Sequence, residues 1–269
     1  MSFENKFEFS QENIDVFLKE VAKNYRKIAG KNTPAEMIII GGASVLINYG
    51  FRESTTDIDA IISAASGMKD AINMVRDKYK LPNDWLNADF KKTESYSSRL
   101  PQFSKYYRTY SNVVTIRTIS AEYLVAMKLK SGRTYKKDLS DVIGILYEHE
   151  KANNAITMES IKRAIGELYD SWDNIPEFSK IFITNVFDNK DLKEEYIKTI
   201  KDEQNARKDL IQFEKDYPGV LSNKNVNDIV GNLSVKSGRK SVIANLHEKK
   251  KISEKQRSSV QKERSDIER

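Results

Sequence analysis

The sequence predicts an α+β protein, with a core built on a mainly antiparallel or mixed sheet and a helical C-terminal domain after it. Three observations carry that expectation. Residues 37–62, MIIIGGASVLINYGFRESTTDIDAII, read as strand, glycine turn, helix and second strand. Residues 113–119, VVTIRTI, alternate and are rich in β-branched types, as a strand requires. Beyond about residue 150 the apolar residues fall at helical spacing, and no stretch of comparable strand strength follows. The expected division is one domain over residues 1–150 and a helical domain with a charged tail over 151–269.

Taken in order, residues 9–29 are expected to form an amphipathic helix. Ser10 is its candidate N-cap, Ile14, Phe17, Leu18, Val21 and Tyr25 its apolar stripe, and Gly30 its stop. Pro34 resets the backbone before the apolar run 37–40, which suits a buried strand. Gly41 and Gly42 break that run, and Val45, Leu46 and Tyr49 then fall at helical spacing. The next strand, 57–62, places Asp57 and Asp59 on one face, because strand side chains alternate. Residues 67–79 read as a helix with Met68, Ala71, Ile72 and Val75 inward. The stretch LPNDWLNADFKK is expected to loop around Pro82 and then turn helical. Residues 120–146 read as a helix, a break at Ser131-Gly132, and a charged segment leading into an apolar run. Two long amphipathic patterns follow, the second ending at Tyr217-Pro218-Gly219. The tail from His247 has few large apolar residues and suits either an exposed helix or disorder.

Composition removes several chemistries. With no cysteine there is no disulfide framework, no thiolate zinc site and no cysteine nucleophile. His149 and His247 are the only histidines, which argues against a multi-histidine metal centre. No apolar run approaches the ~20 residues of a spanning helix, and the N-terminus lacks the apolar segment of a secretory signal. A cytoplasmic protein with no membrane partner is the expectation. The net charge of +6 suits a nucleic-acid partner, and equally a solvated lysine-rich surface.

The chemistry gathers at residues 41–59. Glycines let a phosphate approach the backbone, and a helix N-terminus offers free N–H groups to an anion. Ser44 either caps this helix or bonds a phosphate. Two same-face carboxylates, Asp57 and Asp59, can hold Mg²⁺ (or Mn²⁺), which takes one or two carboxylates together with substrate phosphates. Trp85 and Trp172 are read as core or interface residues.

The order Ile40-Gly41-Gly42, a spacer, Thr55-Thr56 and then Asp57-Ile58-Asp59-Ala60 resembles the signature of the nucleotidyltransferase superfamily. The resemblance implies a nucleotidyltransferase-like core, an NTP substrate, Asp57 and Asp59 as metal ligands, and Gly41, Gly42, Ser44, Thr55 and Thr56 around the nucleotide. The superfamily takes a third carboxylate from a later strand. Here that strand, 113–119, offers Arg117 and threonines, and Asp89 is the candidate substitute. Downstream, Lys128, Arg133, Lys137-Asp138 and Asp141 resemble the second motif of AbiEii/MenT toxins of toxin–antitoxin and abortive-infection systems. That resemblance implies catalytic roles for Lys128, Lys137, Asp138 and Asp141 and nucleotide contact by Arg133. It also implies tRNA as the acceptor and a cognate antitoxin as partner. From the residues alone, Asp138 and Asp141, three apart on a helix face, equally suit structural pairing with Arg133 or Lys137. Two other readings stay open: a small-molecule nucleotidyltransferase, and an inactive interaction protein with the same fold, such as an antitoxin or scaffold.

Overall fold

A computed structural model describes residues 7–189, 191–222, 224–237 and 241–267. The N-terminal reading of residues 1–6 and the side chains of the lysine-rich tail past residue 255 lie outside the described residues. The fold is α+β. Strands β1 (Ala35–Ile39), β2 (Ile58–Ser63), β3 (Leu86–Asn87), β4 (Ser104–Tyr110) and β5 (Val114–Ile119) form a mixed sheet in the order β3-β2-β1-β5-β4. β1 runs antiparallel to β2 and parallel to β5, β3 pairs parallel with β2, and β4 pairs antiparallel with β5.

β1 is apolar apart from Glu36, as burial on both faces demands. Met37 and Ile39 pack with helices α1 (Gln11–Ala29) and α3 (Met68–Tyr79) on one side. Ile38 and the following Ile40 pack on the other side with α4 (Ala121–Ser131), α5 (Asp138–Lys151) and the helices beyond. α2 (Gly41–Asn48) divides likewise, with Val45 on the second side and Ala43 and Leu46 on the first. In β2, Ile58 and Ala60 point toward α1 and α3. Alternation therefore sends Asp57, Asp59 and Ile61 to the face that α4 and α5 approach. This parity positions the site.

The C-terminal helices are α6 (Met158–Tyr169), α7 (Glu177–Asp188), α8 (Leu192–Asp216), α9 (Val226–Lys236) and α10 (Val242–Ile267). One buried apolar cluster runs from Ile38 and Val45 through α4 and α5 to Leu210, Val230 and Leu246. Among the described residues no helix is long and apolar enough to cross a membrane.

Two segments differ from the sequence expectation. The stretch after Pro82, expected to be helical, forms the short β3 and a 3-10 turn at Asp89–Lys92. The Asn87 side chain accepts the Asp89 N–H at 2.8 Å, a local bond that competes with helix formation. β4, SKYYRTY, carries no apolar alternation and is mostly exposed at the sheet edge. Its pairing is set by the three-residue connection to β5, where the Val113 N–H donates to the Tyr110 carbonyl at 3.1 Å across Ser111 (φ 52°) and Asn112 (φ 56°), both left-handed as a tight turn of this kind demands.

Candidate active site

The Ile40 N–H donates to the Asp59 carbonyl at 3.0 Å, so the glycine turn opens beside the strand that bears the carboxylates. Gly41 adopts φ +60°, a conformation that favours glycine, and a Cβ there would lie 3.5 Å from Asp59 Oδ2. A Cβ on Gly42 would meet Arg52 Nη2 at 2.6 Å and Thr55 Oγ1 at 2.9 Å. The start of α2 thus has a carboxylate on one side and a guanidinium on the other.

Asp57 and Asp59 are both half-buried. Burial, with the nearby Asp57 carboxylate as the next cause, pushes the Asp59 carboxyl up to about 6, against the pull of Arg133, Lys136 and Lys128. Three cations from the α4–α5 region therefore act on a carboxylate of β2. Lys136 reaches solvent, yet crowding and the Arg133 charge hold its ammonium below the ordinary lysine range, while Asp138 and Asp57 pull it back.

The cations stand on a buried acidic footing. Lys128 Nζ lies 2.6 Å from Asp138 Oδ1 and 2.7 Å from Asp141 Oδ2. Arg133 Nε donates to Asp138 Oδ2 at 2.7 Å, the Ser131 hydroxyl donates to the same oxygen at 3.0 Å, and Arg52 pairs with Asp141. Burial opposes ionisation of Asp138, but Lys128 and Arg133 outweigh it and hold the carboxyl well below the usual carboxylate range. Three cations thus share two buried carboxylates, leaving positive charge to face the Asp57/Asp59 pair.

This arrangement revises several expectations drawn from the residues. Asp138 and Asp141 are buried beneath the cations, so they act as counter-ions rather than as groups open to a metal or a substrate proton. Ser44 is 0% exposed, and its hydroxyl accepts the Ile119 N–H at 3.2 Å, tying α2 to β5 rather than presenting to a phosphate. Lys137 faces Arg52, Asp141, Glu8 and Glu53, and it is Lys136 that acts on the carboxylate pair. Thr55 is buried, bridges to Phe9 and donates to the Asp57 carbonyl at 3.3 Å; Thr56 is half-buried beside it. Asp89 is held by Lys92 at 2.6 Å, and among the described residues no group of three His, Cys, Asp or Glu side chains is placed to hold a metal. Arg117 lies on β5 as expected, donating to the Ser104 carbonyl at 2.6 Å. Trp85 is fully buried in the core. Arg52 escaped sequence reasoning altogether.

Residues 17–175 match a family described as "Nucleotidyltransferase of unknown function (DUF6036)". The chain belongs to this family. The matched segment spans β1 to α6 and so contains the glycine turn, the carboxylate pair and the cation cluster. No curated protein and no solved structure matches the chain significantly. A cavity of about 670 Å³ bordered by Phe182, Asn185, Glu195, Leu246 and Lys249 contains none of these site residues.

Proposed function

We propose that this family member is a Mg²⁺-dependent nucleotidyltransferase that moves NMP from an NTP to tRNA, as the toxin of a toxin–antitoxin or phage-defence system. The observation that carries the enzymatic part is the pairing of Asp57 and Asp59 at the mouth of a glycine-opened helix, with Arg133, Lys136 and Lys128 acting on the pair. The donor set fits the metal: two hard carboxylate oxygens, half-buried and mutually repelling, in a place where phosphates can complete the coordination. When bound, Mg²⁺ (or Mn²⁺) would neutralise phosphate charge and polarise the phosphorus under attack.

The chain's own residues do the rest. The N–H groups at the start of α2 and the Arg52 guanidinium receive the phosphate chain. Arg133 and Lys136 face the charge that develops as the acceptor hydroxyl oxygen bonds to the α-phosphorus and the bond to the bridging oxygen breaks. Pyrophosphate leaves with that electron pair, and the hydroxyl proton passes to water. tRNA as acceptor, a cognate antitoxin and the toxin role rest on the order of Lys128, Arg133, Lys137-Asp138 and Asp141, which resembles AbiEii/MenT proteins, with the basic net charge as modest support. Incubating the protein with Mg²⁺, each α-labelled NTP and total tRNA tests the proposal. Label on tRNA, lost in Asp59→Ala, supports it; no label from any NTP rejects it.

One observation favours a second reading, an inactive interaction protein on the same fold. Among the described residues no third carboxylate joins Asp57 and Asp59. Metal binding without any transfer would favour it.

A further inference from the structure

α5 begins behind Lys137, whose side chain makes no capping bond. The first N–H groups of a helix have no partner inside it and need an acceptor from elsewhere. Here the acceptor comes from α8. Glu203 Oε1 accepts the Leu139 N–H at 2.9 Å and the Ser140 N–H at 3.2 Å, and Oε2 accepts the Ser140 hydroxyl at 2.5 Å. Glu203 is 5% exposed and lies beyond the segment matched to the family. The turn it caps is the one that carries Asp138 and Asp141, and these hold Lys128, Arg133 and Arg52. α8 also reaches the Arg52 loop directly, where the Tyr196 hydroxyl donates to the Phe51 carbonyl at 3.3 Å.

We infer that Glu203 is a positioning residue for the phosphate-binding cations: by capping α5 from α8 it fixes Asp138 and Asp141, and through them Lys128, Arg133 and Arg52, opposite Asp57 and Asp59. The inference rests on the transferase reading for the identity of the ligand, a phosphate chain. It separates two halves of the site by their supports. The carboxylates ride on β2 and the glycine turn, which Glu203 does not touch. The cations ride on α4, α5 and the Arg52 loop, which α8 secures. Loss of the cap displaces the second half alone, and displacements of ~1 Å are enough to weaken a charged clamp severely.

The test uses the full chain with two probes: inorganic tripolyphosphate in the presence of Mg²⁺, followed by calorimetry, and Mn²⁺ alone, followed by paramagnetic resonance. Glu203→Ala is expected to bind tripolyphosphate at least tenfold more weakly than wild type, with Mn²⁺ affinity unchanged or tighter. Glu203→Gln keeps an oxygen for the two N–H groups and an amide that can donate to the Ser140 hydroxyl, so it is expected within about threefold of wild type. Equal tripolyphosphate affinity in Glu203→Ala and wild type would overturn the inference, as would parallel loss of both probes. If Glu203→Ala does not fold, Ser140→Ala decides, with selective weakening toward tripolyphosphate expected and none overturning the inference. Wild type that binds neither probe overturns both readings. Wild type that binds tripolyphosphate through Glu203 yet labels no acceptor leaves the positioning role standing and removes the transferase.

Discussion

Lys128 Nζ lies 2.6 Å from Asp138 Oδ1, in a pair whose side chains are only 7% and 1% exposed. Removing Asp138 leaves three cations, Lys128, Arg133 and Arg52, with the Asp141 carboxylate as the one buried counter-ion of the cluster, an excess of poorly solvated positive charge. Asp138→Ala is therefore expected to cost about 3–5 kcal/mol in urea unfolding. Arg133→Ala, at the more exposed end of the cluster, leaves Asp138 with Lys128 and Ser131 and should cost only about 1 kcal/mol. Its tripolyphosphate affinity should nevertheless fall by more than tenfold. Equal stability losses in the two variants would contradict this account of the cluster.

The glycine turn separates in the same way. Gly41→Ala forces a side chain into φ +60° with only an ordinary contact to Asp59, so a destabilisation of about 1–2 kcal/mol is expected from backbone strain alone. Gly42→Ala pushes on Arg52, which Asp141 holds from the other side. It should lower tripolyphosphate affinity more than Gly41→Ala does. Side-by-side calorimetry and thermal melting of the two variants check this.

Asp59 supplies a pH test. Its folded-state carboxyl titrates near 6, above the ordinary value, so its contribution to stability is full below ~4 and lost as pH rises through 6. Without metal at pH 7.5, Asp59→Asn should melt no lower than wild type, because the variant removes a charge that Asp57 repels. Protons compete with metal at the same oxygens. Mn²⁺ affinity of wild type should hold from pH 8 to about 6 and then fall roughly tenfold per unit. A flat profile down to pH 5 would exclude Asp59 as a ligand.

Glu203 supplies a second, at higher pH. Burial pushes its carboxyl up to about 8, with Asp141 and Asp138 adding to the rise and the bonds from Ser140 opposing it. Stability from this group is complete below ~4.5 and is lost as pH climbs through 8. Melting temperature should drop between pH 6 and pH 9, on the order of 5 °C, and Glu203→Gln should flatten the decline. Lys136 and Lys137, whose ammonium groups are held below their usual range, act in the opposite sense toward pH 10. The comparison with Glu203→Gln is what isolates the carboxyl.

The half of the site carried by β2 was readable because a strand has a period of two. Ile58 and Ala60 had to be buried, so Asp57 and Asp59 had to share the other face. The glycine turn was readable because an apolar strand cannot run through Gly41-Gly42. Ser44 sat between Ala43 and Val45 in an apolar helix, a hint of its burial that its hydroxyl chemistry obscured. At Lys136 and Lys137 the chain turns into α5, where no periodicity says which lysine faces the carboxylates. Arg52 and Glu203 left no local trace. Arg52 meets Asp141 89 residues away, and Glu203 meets Ser140 63 residues away, through tertiary contacts that no spacing rule encodes. β4 stayed hidden because an exposed edge strand needs no apolar alternation.

The long-range cap on α5 also sets an order of events during synthesis. Leu139 leaves the peptidyl-transfer centre 64 residues before Glu203. At about 5–20 residues per second, that interval is on the order of several seconds. Throughout it the first turn of α5 lacks the acceptor for its Leu139 and Ser140 N–H groups, while the glycine turn and both carboxylates of β2 have already been made. The newborn polypeptide thus owns every residue that would grip a nucleotide before it owns the helix that arranges them.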